Sequence, residues 1–71
     1  MATSVRAHIA GTIWKLEVAV GDAVAEGQTL VIIESMKMEM PVEAPAAGRV
    51  AAILVAEGAA VAEGQALLEL A

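Results

Sequence analysis

The residues with the clearest chemical potential are Lys37 and its neighbours, in the run Glu-Ser-Met-Lys-Met-Glu that starts at Glu34 and ends at Glu39. A lysine amine is a nucleophile once it has lost its proton, and it can form a covalent bond with a carbonyl group. Most lysines in turns are merely solvated. The residues around Lys37 therefore have to indicate whether this amine does more.

The methionines beside this lysine are the first such indication. Met36, Met38 and Met40 are three of the four methionines in the chain. Methionine usually fills irregular gaps in a core, and Met40 is a candidate for that role. Met36 and Met38, however, flank a lysine in a tight reversal and cannot both point inward. We expect them to form an exposed, adaptable recognition surface for a partner.

The composition excludes several kinds of function. Because the chain has no cysteine, it has neither disulfides nor thiol redox chemistry. His8 is the only histidine and no carboxylate cluster accompanies it, so a metal site is not expected. The net charge of −5 disfavours a nucleic-acid partner, which needs a basic patch. We find no nucleophile–base pair and no phosphate-binding loop, and expect no catalytic residues.

Length and hydropathy bear on the domain count and the location. A chain of 71 residues is predicted to form one small domain, 1–71, with a modest core. No apolar run approaches the roughly 18 residues of a membrane-spanning helix. The first six residues lack the charged-then-apolar pattern of a signal peptide. We therefore expect a soluble, cytoplasmic protein.

An internal repeat organises the whole chain. An offset of 37 aligns residues 1–34 with residues 38–71 without a gap, with 15 of 34 positions identical and every glycine matched to a glycine. Two copies indicate a pseudo-twofold domain, because a solenoid needs at least three. We expect the joint between the halves at one end and the chain termini close together at the other. Only three residues lie outside both copies: Ser35, Met36 and Lys37.

Each copy has the pattern of a β-rich unit. Residues 14–20 alternate large apolar side chains with Lys15 and Glu17, which predicts a strand, and residues 51–55 are the matching run. Residues 29–34 and 66–70 are short apolar runs of strand length. Glycine-containing turns separate these runs at 21–22 and 26–28, and again at 58–59 and 63–65.

The competing interpretation is helical, because 17 of the residues are alanine. Closely spaced glycines, together with Pro41 and Pro45, leave no room for a long helix. Short strands at regular intervals instead predict an all-β fold, a small sandwich or flattened barrel.

The run around Lys37 resembles the biotin attachment motif of biotin carboxyl carrier domains, in which Met-Lys-Met presents the modified lysine on a β-hairpin. The resemblance covers the whole chain and is closest to short, free-standing biotin/lipoyl attachment proteins. It implies a flattened barrel of two quasi-symmetric halves, with biotin joined covalently to Lys37. It also implies that Met36 and Met38 take part in recognition, with Glu34, Ser35 and Glu39 as motif context; Ser35 replaces the usual alanine. Further matching features are the turns Gly21-Asp22 and Glu26-Gly27-Gln28, and Ala44-Pro45 followed by Gly48.

The resemblance further implies a role and a set of partners. A biotin protein ligase would modify Lys37, and biotin carboxylase and carboxyltransferase subunits would load and unload the biotin, with the carrier a monomer when free. Two alternatives stay open. One is a lipoyl or dual carrier, although lipoyl domains usually have Asp before the lysine and Ala after it, and Ser35-Met36 and Met38 differ from that pattern. The other is an unmodified interaction module.

Overall fold

The computed structural model describes residues 3–71, and every regular element in that range is a β-strand. No helix that could cross a membrane occurs in those residues. The strands are short, as expected for a chain punctuated by glycine turns. They are Thr3–Arg6 (β1), Gly11–Leu16 (β2), Ala23–Val24 (β3), Thr29–Ser35 (β4), Met38–Glu43 (β5), Gly48–Ile53 (β6), Ala60–Val61 (β7) and Ala66–Leu70 (β8).

The strands form two antiparallel four-stranded sheets, in the orders β1-β8-β6-β3 and β5-β4-β2-β7. Each strand of the first half occupies the position in one sheet that the strand numbered four higher occupies in the other: β1 corresponds to β5, β2 to β6, β3 to β7 and β4 to β8. The two sequence copies therefore occupy equivalent positions, and each sheet contains strands from both. The body measures 32 × 18 × 17 Å. These features confirm the prediction of an all-β, flattened fold of two quasi-symmetric halves.

The core lies between the two sheets and is built from small and medium-sized aliphatic side chains. Its largest fully buried members are Ile13, Leu30, Ile33, Leu67 and Leu68. Within residues 3–71 no charged or polar side chain is buried. The core is therefore held together by apolar burial and by backbone hydrogen bonds, without buried ion pairs.

The turns tie the two halves to each other. Gly21 and Gly58 have φ values of 96° and 88°, a conformation that glycine adopts without a steric penalty. The amide of Gly21 donates to the carbonyl of Val50 at 2.8 Å, and the amide of Gly58 donates to the carbonyl of Ile13 at 2.7 Å. Each half thus supplies a turn that closes on a strand of the other half, so neither copy is expected to fold alone.

One predicted strand was placed wrongly. The alternation across 14–20 predicts a strand starting at Trp14, whereas β2 begins at Gly11 and ends at Leu16. The register shifts between Ile13 and Lys15, which buries Ile13 completely and leaves Trp14 47% exposed. Val20, predicted to lie on the apolar face, is 61% exposed. A β-bulge at Trp14 causes the exposure of that residue, because a bulge changes the side of the sheet on which the neighbouring residues lie. Val20 is exposed because β2 ends at Leu16 and Val20 lies in the turn that follows.

The two ends of the described chain are neighbours, as the repeat predicts. Thr3 of β1 pairs with Leu70 of β8. By the twofold relationship, this pair corresponds to the pair Met40–Ile33 in the other sheet, where β4 and β5 are joined. That joint carries Lys37.

Candidate attachment hairpin

The joint between the two halves is a β-hairpin closed by the smallest common loop. Ser35 of β4 pairs with Met38 of β5, so only Met36 and Lys37 form the turn. Both have positive φ, 52° for Met36 and 65° for Lys37. A two-residue loop with both central residues left-handed corresponds to a type I′ turn, whose twist matches that of the flanking strands.

This turn is strained, because its residues are not those that type I′ turns favour. Asn-Gly is the usual pair, and a left-handed conformation costs an ordinary L-residue roughly 1–2 kcal/mol. The cost is offset by the long ladder behind the turn, which runs from the pair Ser35–Met38 to the pair Thr29–Glu43. Strain that the surrounding structure maintains is typical of functional positions.

The two turn residues and Met38, the first residue of β5, extend into solvent. Met36 is 90% exposed and Met38 is 59% exposed. Lys37 is exposed, and among residues 3–71 its amine has no hydrogen-bond partner and no carboxylate within 4.0 Å. The amine is therefore accessible to an enzyme from outside. An accessible amine on a rigid turn is what covalent attachment of a prosthetic group requires.

Lys15 shows what an ordinary lysine of this chain looks like. It also lies between two large apolar residues and near a glutamate, in the run Trp14-Lys15-Leu16-Glu17. It is part of β2, however, and its amine lies 3.9 Å from the Glu17 carboxylate. Similar local sequences thus occupy a strand in one case and a turn in the other. Tertiary position, not the neighbouring residue types, separates the two lysines.

The motif glutamates lie next to each other at the base of the turn. Glu34 and Glu39 are direct cross-strand partners, and both are exposed. Like charges directly opposite in an antiparallel pair destabilise it. The half-buried Ser35 lies between this pair and the turn. The face below Lys37 therefore carries two adjacent negative charges with no cation within ion-pair distance in the described part of the chain.

Gly11 sets the position of the hairpin relative to the rest of the sheet. A Cβ atom on Gly11 would lie 2.5 Å from the Glu34 carbonyl oxygen and 2.7 Å from Cγ2 of Ile33. Only glycine permits this approach of β2 to β4. No role in the site was predicted for Gly11; the one signal in the sequence is that the repeat keeps a glycine at the equivalent position, Gly48.

In the described residues no group of three or more histidine, cysteine, aspartate or glutamate side chains is placed to hold a metal ion. Fold and hairpin together define a small all-β domain that displays one exposed lysine on a strained turn.

Family comparison agrees with this description. Residues 1–70 match the biotin/lipoyl family model, described as "Biotin-requiring enzyme". Because the match spans nearly the whole sequence, the chain belongs to the biotin/lipoyl attachment family. The resemblance noted from the residues around Lys37 is thereby confirmed at the level of the family.

Two individual relatives are also named for attached biotin or for biotin/lipoyl attachment. The chain is 52% identical over 44 residues to a protein named "Biotinylated protein TB7.3 homolog" from Mycolicibacterium smegmatis, an alignment covering 62% of each sequence. It is 46% identical over 41 residues to the "Biotin/lipoyl attachment protein" of Bacillus subtilis, covering 58% of this chain and 56% of the relative. The alignments thus span less than two thirds of either relative.

A solved structure extends the likeness to the complete fold. The chain superposes on part of the urea carboxylase of Kluyveromyces lactis with a TM-score of 0.94 at 37% identity. The superposition covers 100% of this chain and 6% of the carboxylase. The same fold therefore occurs as a small part of a large carboxylase.

Proposed function

We propose that residues 1–71 form a single biotin carrier domain in which Lys37 is the residue that carries biotin. The observation that carries the proposal is the placement of Lys37 in a two-residue turn, exposed and free of side-chain partners in the described residues. The family match and the biotinylated relative support biotin as the group.

The attachment chemistry requires little from this chain. The Lys37 ammonium group loses one proton, and the neutral amine attacks the carbonyl carbon of an activated biotin. The bond from that carbonyl to its leaving group breaks, and the nitrogen loses a second proton as the amide forms. A biotin protein ligase would supply the activated biotin, and its basic groups and solvent would accept the two protons. Modification removes one positive charge, which changes the formal net charge from −5 to about −6. The carrier is a substrate of this reaction and is not an enzyme.

Met36 and Met38 are proposed as the surface that a ligase reads. Their flexible thioethers adapt to different partner surfaces, and both lie next to the reacting amine. Glu34, Ser35 and Glu39 complete the motif. The glutamates add negative charge beside the amine, which favours partners with basic surfaces and raises their rate of association.

Once attached, biotin supplies a ring nitrogen that carries a carboxyl group between active sites. Biotin carboxylase and carboxyltransferase subunits are the proposed partners, in a carboxylase system of the kind that contains this fold elsewhere. The chain contributes a rigid hairpin on which the group is tethered. Tethering replaces diffusion by a high effective concentration at each site. We place the protein in the cytoplasm, where ATP and bicarbonate are available, as a monomer when free.

A lipoyl or dual carrier is the second candidate, because the Bacillus subtilis relative is named for both groups. The residues before and after Lys37 favour biotin, as the Met-Lys-Met sequence resembles biotin acceptors. Intact-mass analysis of protein from its native cells separates the two groups by their masses.

The direct test of the proposal is modification in vitro with a biotin protein ligase, biotin and ATP. We expect intact-mass spectra to show one biotinyl group on the native chain and none on Lys37→Arg. Lys15→Arg is the matched control, since it removes the lysine with similar neighbours, and it should be modified like the native chain. Biotin on Lys15, or an unmodified native chain, would contradict the proposal.

A further inference from the structure

A groove of about 490 Å³ lies between the edge strands of the two sheets. Strand β1 borders it on one side and β5 on the other. Val5 and Val42, which the repeat makes equivalent, are both buried and line it. Because β5 is also the strand that leaves the Lys37 turn, the groove and the proposed attachment residue share one structural element.

A row of apolar side chains leads along β5 from the turn to the groove. Met38, Met40 and Val42 are alternate residues of one strand and therefore lie on the same face. Their exposure decreases along the row: Met38 is 59% exposed, Met40 is half-buried and Val42 is 5% exposed. An apolar chain attached at the turn can lie along this row without leaving an apolar surface.

The length of the biotinyl-lysine side chain fits this path. The groove-lining Val42, the last residue of this row, lies five residues from Lys37, which is about 17 Å of strand. An extended chain gains roughly 3.3–3.6 Å for every three bonds, so the eleven or so bonds from the Lys37 Cα to the biotin ring span about 12 Å. Four further bonds across the fused ring to its urea oxygen add about 4 Å, so the extended arm brings the ring beside Met40 and its urea oxygen to the edge of the groove at Val42.

The groove also offers polar partners for the ring. The biotin ring carries a urea carbonyl, which accepts hydrogen bonds, and two N–H groups that donate them. Arg6 lines the groove, and one of its N–H groups already donates to the Gly64 carbonyl at 2.9 Å, which leaves other donors available. His8 and Glu43 line the same groove and provide further donor and acceptor atoms.

We infer that the groove between β1 and β5 is a docking site for the chain's own biotinyl-lysine arm, which folds back along Met38 and Met40. The inference rests on the proposed function. A short tether gives an effective concentration on the order of 1 mM. A groove that binds the ring with a dissociation constant of about 1 mM would hold it about half of the time, weakly enough for a partner enzyme to take it.

The test compares unmodified and biotinylated protein by NMR, after intact-mass analysis has verified one biotinyl group on Lys37. We expect the backbone amides of Val5, Arg6 and Val42 to shift on biotinylation, with nuclear Overhauser contacts from ring protons to the valine methyl groups. In Arg6→Gln these shifts should fall by about half or more, because the docked population decreases.

Arg49→Gln is the matched control. Arg49 also donates from its guanidinium to a glycine carbonyl, that of Gly21 at 2.6 Å, but it lies on β6 outside the groove. Both variants lose one arginine–glycine hydrogen bond, and only Arg6→Gln changes the groove. Equal shifts in the two variants would overturn the role of Arg6 and, with it, the proposal.

The remaining outcomes distinguish docking of the arm in the groove from attachment of biotin at Lys37. Verified biotinylated protein whose shifts are confined to residues 35–39 would overturn docking and leave attachment at Lys37 intact. A chain that a competent ligase leaves unmodified would overturn both. Groove shifts that depend on the concentration of unmodified protein would identify a second copy as the occupant, and would also overturn the inference.

Discussion

Gly11 of β2 lies so close to Glu34 of β4 that a methyl group on it would sit 2.5 Å from the Glu34 carbonyl oxygen. The obstacle is main chain, which cannot rotate away as a flexible side chain could. This contact fixes β2 against the strand that leads into the turn. The display of Lys37 therefore depends on a residue that has no side chain and lies 26 positions earlier in the sequence.

Gly11→Ala is expected to separate β2 from β4 at the base of the hairpin. Overpacking of this kind typically costs 1–3 kcal/mol, and we expect a loss of about 2 kcal/mol in the free energy of unfolding, measured with urea. Modification by the ligase should also slow, because the turn moves with β4.

Gly48→Ala provides the control from the other half of the repeat. A Cβ atom on Gly48 would lie 2.8 Å from the Ala71 carbonyl oxygen, so this variant is strained in the same way. We expect it to lose stability but to be modified at the native rate, because its strain lies away from the Lys37 turn. Slowed modification in both variants would show that stability alone, and not the hairpin base, limits the reaction.

Met36→Asn should stabilise the protein. Met36 has a φ of 52°, and asparagine adopts this left-handed conformation more readily than methionine. We expect a gain of about 0.5–1 kcal/mol in the free energy of unfolding. Met38→Asn, a change of the same type at a strand position, should give no gain. A stability equal to the native value in Met36→Asn would contradict the assignment of strain to the turn.

The double variant Met36→Asp with Met38→Ala tests whether these methionines are recognition surface or core. Both side chains are largely in solvent, so we expect a change in stability within about 0.5 kcal/mol and a strong decrease in the rate of biotinylation. Met40→Ala is the contrasting variant, since Met40 is half-buried and its loss should lower the melting temperature. A large loss of stability in the double variant would place the methionines in the core.

Glu34→Gln should raise stability by about 0.2–1 kcal/mol, because it removes one of two like charges that face each other across the hairpin. The gain should shrink as salt is added, since salt screens exposed charges. Glu34→Gln with Glu39→Gln should add nothing beyond the single change, because one substitution already ends the repulsion. Additive gains would show that the two carboxylates do not interact.

The sequence predicted much of this fold because the relevant signals are local. Period-two and short apolar patterns located β4 at Thr29–Ser35 and β8 at Ala66–Leu70 to within a residue. Glycines marked the turns, and the repeat predicted that Thr3 and Leu70 would be neighbours. The prediction failed at β2, because a bulge at Trp14 interrupts the alternation and nothing in the local pattern indicates a bulge.

The sequence by itself determined that the chain is built of two like halves, that their strands are short, and that Lys37 lies in the one segment the halves do not share. Repetition and side-chain alternation are properties of the linear chain and can be read without coordinates. Only the tertiary structure decided that the turn has two left-handed residues, that Glu34 faces Glu39, and that Gly11 touches β4. Those features depend on strand register and on contacts between distant segments, which are set when the sheets pair and pack.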